Sequence, residues 1–144
     1  MFRIKLPVRV DDLDTNGHVR GPAYLGYADH ARWECVWAAG IDPAQLRARN
    51  LGPVNLRTTI EFHRELFPHG LVEVCSEFHW GEGKTSRVVQ ELRSAEGTLV
   101  ATVESVSGLL DLTERRLVAD PSRYWLELAT RPELLGLSGR DGGE

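Results

Sequence analysis

The feature of this sequence that most constrains its fold is a change in hydrophobic period after a single long helical segment. Between Pro22 and Ala39, apolar residues recur at spacings of three and four, as in an amphipathic helix. From Val54 onward, apolar residues alternate with polar ones, and short turns divide the chain into four strand-like segments. One helix cannot cover both faces of a sheet, and short turns favour antiparallel pairing. The order predicts an α+β fold in which a curved antiparallel sheet wraps around one long central helix.

The predicted elements account for most of the chain. An alternating strand comes first, and Pro7 indicates an edge position or a bulge in it. The long helix is expected to stop at Gly40, and Asp42 is suited to cap a short second helix. The predicted ranges are strands over 2–10, 54–63, 72–80, 85–94 and 98–112 and a short helix over 43–50. We expect a single domain over residues 1–131, followed by a flexible and dispensable tail over 132–144.

Composition limits the possible partners and the compartment. With 144 residues, 42% of them hydrophobic, the chain is long enough to bury a core without disulfides or metals. Seventeen basic and 21 acidic residues give a net charge of −4, which does not favour a nucleic-acid partner. The first residues carry two cations and no apolar run, and no segment approaches the ~18 apolar residues of a membrane span. We therefore expect a cytoplasmic protein that does not bind membranes.

Several segments partly match known catalytic or ligand-binding motifs, but each lacks a residue that its motif requires. Residues 12–17 match the start of a calcium-binding loop, but the twelfth position is Ala23 and not the required glutamate. A P-loop ending at Lys84 would need a glycine where Phe78 stands. Ser107 lacks the glycines of a hydrolase elbow, and the five histidines show no metal-ligand spacing. Cys35 lies on the apolar stripe of the helix, which favours an inert core thiol. We expect no metal and no cofactor.

The remaining block, over residues 10–33, reads VDDLDTNGHVRGPAYLGYADHARW. It resembles the 4-hydroxybenzoyl-CoA thioesterase-like branch of the hotdog-fold acyl-CoA thioesterases, whose signature is D-x-D-x-x-G-H-V-N-N followed by a tyrosine and an acidic-Ala-Arg run. Weaker similarities extend the resemblance over roughly residues 4–126. The resemblance implies a hotdog fold, an acyl-CoA substrate, thioester hydrolysis without a cofactor, and a homodimer or homotetramer. An open sheet edge independently favours pairing with a second copy.

By position, Asp14 matches the family's catalytic carboxylate, which acts as a general base or as a nucleophile. Gly21 matches the residue whose N–H polarises the thioester carbonyl. A helix N-terminus suits this role because its unpaired N–H groups carry partial positive charge. Further substrate-binding candidates are His18, Tyr24, Asp29, Arg64, Lys84 and Arg87, the last three as cations for CoA phosphates.

Each of these residues also has an ordinary structural interpretation. Asp14 could cap a turn, His18 could fix the loop, and Tyr24 could belong to the core. Asp29 could pair with Arg32 on the helix surface, and the three cations could simply be solvated.

The sequence departs from the family where Arg20 and Gly21 replace Asn-Asn. That departure affects the polar contacts near the thioester but leaves the carboxylate in place. Two alternatives therefore stay open: an acyl-carrier-protein thioesterase, and a hotdog protein that binds acyl-CoA without hydrolysing it.

Overall fold

A computed structural model describes residues 1–138. Its elements are β1 (Phe2–Pro7), a 3₁₀ turn (Val10–Asp12), α1 (Gly21–Ala38), α2 (Pro43–Ala48), β2 (Leu51–Phe62), β3 (Leu71–Trp80), β4 (Thr85–Ser94), β5 (Leu99–Asp111), β6 (Arg116–Leu117), α3 (Pro121–Leu128) and a second 3₁₀ turn (Pro132–Leu135). The five main strands form an antiparallel sheet in the order β1-β3-β4-β5-β2, and the short β6 pairs with the end of β5. Helix α1 packs against this curled sheet, so the predicted α+β arrangement is confirmed.

Helix α1 lies close to the sheet because its buried face is rich in small residues. Ala28, Ala31 and Cys35 are all buried, and Tyr24 and Tyr27 fill the space near the start of the helix. The helix ends where glycine permits a positive φ, at Gly40 with φ of +93°. Two hydrophobic clusters result, one around the first half of α1 and one around its second half.

A buried glutamine ties the helix to the sheet. The side-chain amide of Gln90, on β4, donates to the Ala28 carbonyl at 2.7 Å and to Ser76 Oγ at 3.0 Å. Gln90 is 2% exposed, so breaking these bonds would leave buried polar atoms without partners. The bonds therefore fix the position of α1 relative to β3 and β4.

A glycine within the long final strand, Gly108, predicts either a bulge or a close approach, and the structure shows a close approach. A Cβ atom at this position would lie 2.8 Å from Cδ2 of Leu117, on β6. A larger residue at position 108 would therefore force the Leu117 side chain to move, so glycine suits the place where β6 pairs beside β5.

The predicted flexible tail is wrong over residues 132–135. Leu135 is 1% exposed and belongs to the cluster around the second half of α1. Its carbonyl accepts a hydrogen bond from the Trp80 indole at 2.6 Å, and the Leu134 carbonyl accepts from the Cys35 thiol at 3.3 Å. Part of the supposed tail is thus core. Its last residues, 139–144, lie outside the described residues.

Helix α3, which the sequence analysis did not predict, explains this packing. Tyr124, Trp125 and Leu128 lie against the second cluster and carry the chain back over the end of α1. There the Thr130 N–H donates to the Ala39 carbonyl at 2.9 Å. The chain after α3 is therefore held before the turn by Thr130 and at the end of the turn by Leu135.

We predict that Leu135→Ala lowers the free energy of unfolding by about 2–5 kcal/mol, the range for truncating a buried leucine. Glu133→Ala is the matched control, because Glu133 is exposed in the same turn and, among residues 1–138, its side chain pairs only with exposed Arg131. Denaturant unfolding of both variants measures the difference. Equal stabilities would show that the turn is dispensable, as the sequence first indicated.

Candidate active site

The loop before α1 is folded back on itself like a small hairpin. Leu13 pairs with Val19, and the Asp14 N–H donates to the His18 carbonyl at 2.7 Å. Gly17 sits at the tip with φ of +76°, a conformation that favours glycine. The sequence Asp-Thr-Asn-Gly-His therefore forms a tight turn, and Asp14 lies at its base.

Hydrogen bonds hold the Asp14 carboxylate in one orientation and leave part of it available. Oδ1 accepts from the backbone N–H groups of Asn16 at 2.8 Å and His18 at 3.1 Å. Oδ2 has no hydrogen-bond partner among residues 1–138, and the residue is exposed. One oxygen thus fixes the side chain while the other can contact water or a substrate.

Asp12 and Tyr27 fasten this loop to the helix, and the sequence analysis did not identify either residue as functional. The Asp12 carbonyl accepts from the Arg20 N–H at 2.8 Å, and its Oδ2 accepts from the Tyr27 hydroxyl at 3.0 Å. Burial raises the pKa of Tyr27, which keeps the hydroxyl protonated and donating. The first aspartate of the D-x-D pattern is the one sequence signal that could have pointed to this anchor.

Helix α1 begins beside this loop with an available donor. Arg20 provides no side-chain cap, and the Gly21 N–H has no acceptor among the described residues. The next residue, Pro22, has no N–H, and the Ala23 N–H donates to the Arg20 carbonyl at 3.0 Å. The Gly21 N–H therefore lies open at the positive end of an 18-residue helix.

The backbone pairing within the loop limits the distance between the two predicted catalytic residues, Asp14 and Gly21. Asp14 faces His18, and three residue steps separate that pair from Gly21, roughly 10 Å of chain. A Cβ at Gly21 would lie in ordinary contact with the ring of Phe62, at 3.5 Å, so this ring borders the start of the helix. The structure thus brings Asp14 and Gly21 to the same end of the sheet.

The neighbouring candidates His18 and Tyr24 occupy different environments. His18 is half-buried; its Nε2 lies 3.3 Å from Glu65 Oε2 and its ring meets Phe67 edge-on. Tyr24 is 3% exposed and packs against the Phe62 ring, and burial raises its pKa. His18 borders the site, whereas Tyr24 belongs to the core beneath it.

A cleft of about 380 Å³ runs between α1 and the edge strand β2, and we call it the α1–β2 cleft. Asp29 stands at its wall, 60% exposed, with its Oδ1 3.6 Å from the Arg32 guanidinium. The ion pair between Asp29 and Arg32 is therefore present in the structure, and Asp29 also lines the cleft, where its role in substrate binding stays a prediction. The other lining residues are Leu25, Gly26, Ala28, Asn55, Thr58, Gln90, Val103 and Ser105.

Within one subunit, the predicted CoA-binding cations lie at opposite ends of the sheet. Arg64 follows β2 at the Asp14 end, but Lys84 and Arg87 lie at the opposite end of β4. At the Asp14 end of the sheet, Phe62 of β2 pairs with Ala101 of β5, and Ala101 pairs with Leu92 of β4. From Leu92, β4 runs seven residue steps, roughly 23 Å, to Thr85 at its other end. Arg87 also forms an ion pair with Glu104 at 2.5 Å. A single chain does not bring Lys84 and Arg87 to Asp14.

Other chemistries find little support in the described structure. Burial raises the pKa of Cys35 to about 12, so this thiol is protonated and unreactive. Within residues 1–138, no group of three or more His, Cys, Asp or Glu side chains is placed to hold a metal ion. No helix in that range has both the length and the apolar character needed to cross a membrane.

Comparison with known proteins decides the family. The model of the thioesterase-like superfamily matches residues 8–130, most of the chain. The chain belongs to this superfamily. The family and the fold make this protein a thioester hydrolase with a hotdog fold, as the loop and helix signature indicated.

Solved structures of other thioesterases and probable thioesterases are similar over more than four-fifths of the chain. YbaW, a probable thioesterase from Escherichia coli, is 25% identical, with a TM-score of 0.75 over 83% of this chain and 90% of YbaW. Slr0204, a 1,4-dihydroxy-2-naphthoyl-CoA thioesterase from Synechocystis, is 16% identical, with a TM-score of 0.79 over 88% and 94% of the two chains. At that identity the likeness concerns the fold alone. A search of curated proteins found no significant match.

Proposed function

We propose that this thioesterase hydrolyses acyl-CoA, with Asp14 as general base or nucleophile and the Gly21 N–H as oxyanion donor. The observation that supports this most is the placement of a carboxylate, with one oxygen engaged and one open, beside an uncapped helix start. Such a pair supplies the two groups that thioester hydrolysis needs: one that activates the attacking oxygen and one that stabilises the developing negative charge.

In the general-base form of the reaction, Asp14 Oδ2 takes a proton from water as the water oxygen bonds to the thioester carbonyl carbon. The carbonyl oxygen becomes an oxyanion and accepts a hydrogen bond from the Gly21 N–H at the positive end of α1. Collapse of this intermediate breaks the carbon–sulfur bond, and the thiolate leaves and is protonated. In the nucleophilic form, an oxygen of the Asp14 carboxylate bonds to the carbonyl carbon, the carbon–sulfur bond breaks and the thiolate leaves. Water then hydrolyses the resulting anhydride to the free acid and the Asp14 carboxylate.

The acyl group, in this proposal, extends from the helix start into the α1–β2 cleft. The cleft begins at Leu25, one turn into the helix that starts at Gly21, and Asp29 stands on its wall. A thioester held at Gly21 would therefore direct its acyl part along the same helix.

We also propose that the enzyme is a homodimer joined through β2, in the cytoplasm. The sheet ends at β1 and β2, and β1 is short and carries exposed Arg3 and Lys5, which discourage pairing. β2 has 12 residues and carries exposed Leu56 and Phe62. Pairing two β2 strands antiparallel would cover these side chains and make one continuous sheet.

Such pairing would also bring two of the predicted CoA-binding cations, Lys84 and Arg87, close to the Asp14 of the other subunit. In an antiparallel pair of β2 strands, the Phe62 end of one copy faces the Leu51 end of the other. The Leu51 end lies on the same side of the sheet as Lys84 and Arg87, since Val54 and Thr85 both pair with Gly108. Lys84 and Arg87 of the partner subunit would then approach the Asp14 end, where CoA phosphates could reach them.

We predict that the double variant Lys84→Ala and Arg87→Ala raises KM for acyl-CoA several-fold and leaves kcat nearly unchanged. The reason is that contacts to phosphates are equally strong in the ground and transition states. Steady-state kinetics on acyl-CoA and on acyl-pantetheine, which lacks the nucleotide phosphates, measures the effect, and only the first substrate should suffer. Arg116→Ala, an exposed arginine paired with Glu114, is the control cation. Equal losses on both substrates would assign these residues to the fold.

A further inference from the structure

The groove between α1 and the sheet contains a second space beyond the α1–β2 cleft. This aromatic slot lies beside the second half of α1, and Arg32 and Asn55 line both spaces. It has a volume of about 50 Å³, enough for about three or four water-sized groups. Its apolar walls are formed by Trp33, Val36, Phe78, Trp80, Trp125 and Leu135.

Arg32 stands where the two spaces meet, and it is firmly held there. Its guanidinium donates to Asn55 Oδ1 at 2.8 Å and to Ser107 Oγ at 3.4 Å, and it lies 3.6 Å from Asp29 Oδ1. The side chain is only 17% exposed, and burial lowers its pKa while Asp29 opposes that shift. An arginine nevertheless remains charged in proteins.

A charged group in this position is a chemical barrier as well as a physical one. An alkyl chain that passed it would displace the guanidinium or bury it without replacing its hydrogen bonds, and either outcome is costly. The walls of the aromatic slot are mostly apolar, and two of its polar side chains, Asn55 and Ser107, already accept hydrogen bonds from Arg32. Among residues 1–138, the slot carries no carboxylate that would compensate a displaced guanidinium. A purely apolar chain end should therefore stop at Arg32.

We infer that Arg32, held by Asn55 and Ser107, closes the inner end of the acyl-binding cleft and restricts this thioesterase to acyl groups that end before the aromatic slot. The inference rests on the proposed function, because it takes the thioester to lie at Gly21. Arg32 lies eleven residue steps along the helix from Gly21, roughly 16 Å. Short and medium acyl chains fit within that length, and a palmitoyl chain does not.

The kinetic test compares palmitoyl-CoA with butanoyl-CoA in the wild type and in Arg32→Ala. Removing the side chain joins the cleft to the slot, and each further buried methylene strengthens binding about fourfold. We expect the ratio of kcat/KM for palmitoyl-CoA over butanoyl-CoA to rise at least about tenfold. The ratio cancels any general loss of activity in the variant. An unchanged ratio in a folded Arg32→Ala would overturn the inference.

Two further variants separate opening of the slot from general disturbance. Ser86 lines the slot, so adding Ser86→Leu to Arg32→Ala should refill it and return the ratio toward the wild-type value. Asn55→Ala removes one of the two side chains that accept hydrogen bonds from Arg32, and it should raise the ratio by a smaller factor. This variant tests the inference independently if Arg32→Ala does not fold. A gain that persists after refilling would show that the chain end binds elsewhere.

A binding experiment tests the inference without turnover. The probe is a thioether analogue of palmitoyl-CoA with bromine at the chain end, which quenches nearby tryptophans such as Trp33, Trp80 and Trp125. Quenching is expected in Arg32→Ala and not in the wild type. Quenching in the wild type would show that Arg32 is no barrier. If the quenching pattern is as expected but the wild type hydrolyses no thioester, the proposed activity is wrong and the barrier stands.

Discussion

Asp14→Asn is expected to lower kcat by at least about two orders of magnitude while the fold is retained. The amide can still accept through Oδ1 from the N–H groups of Asn16 and His18, so the loop keeps its shape. It can neither take a proton from water nor attack the thioester, so the chemical step loses its base or its nucleophile. Release of free thiol under substrate saturation measures kcat, and circular dichroism with a melting curve checks the fold.

Asp11→Asn is the matched control for this variant. Asp11 is an exposed aspartate in the same loop, and its carboxylate pairs with Arg9 at 2.7 Å. Its replacement changes the net charge by the same amount and should leave kcat within about twofold, since exposed ion pairs contribute little. Normal turnover by Asp14→Asn would remove Asp14 from the mechanism.

Leu56→Lys should convert the proposed dimer to a monomer and abolish most of the activity. Leu56 is 50% exposed near the middle of β2, where a two-fold axis would place it beside its own copy. Two lysines directly opposite each other on paired strands repel, and the apolar contact is lost as well. Sedimentation should show roughly 32 kDa, twice the 16.1 kDa chain, for the wild type, and roughly 16 kDa for the variant.

Trp37→Lys provides the control for this charge. Trp37 is 60% exposed on α1, and its replacement also turns a large apolar side chain into a cation. This variant should stay dimeric and active. A wild type that sediments as a stable monomer at micromolar concentration would contradict the β2 interface, and with it the approach of the partner's Lys84 to Asp14.

The hydrophobic period predicted most of the fold because long elements repeat their signal many times. The helix predicted over residues 22–39 is found at Gly21–Ala38, and the cap at Asp42 accepts the Ala44 N–H at 2.8 Å. Helix α3 escaped prediction because eight residues give barely two turns of pattern. The turn at Leu135 was missed for a related reason: it is held by the Trp80 indole and the Cys35 thiol, from distant parts of the chain.

The candidate site shows the same division between local and distant information. The turn around Asp14 is local, since its hydrogen bonds join residues no more than four apart. Tyr27 lies 15 residues from the Asp12 carboxylate that it binds, so only the folded loop and helix reveal the pair. The distance of Lys84 and Arg87 from Asp14 depends on strand length and register, which a sequence pattern does not specify.

The measurement that tests the central claim most directly is the release of free thiol from a panel of acyl-CoAs by the wild-type protein. The panel should include butanoyl-, octanoyl-, palmitoyl- and aromatic acyl-CoA, with the Asp14→Asn variant assayed in parallel. We expect turnover of at least one short, medium-chain or aromatic substrate by the wild type and its near loss in the variant. Binding of these acyl-CoAs without release of thiol, or equal release by both proteins, would contradict it.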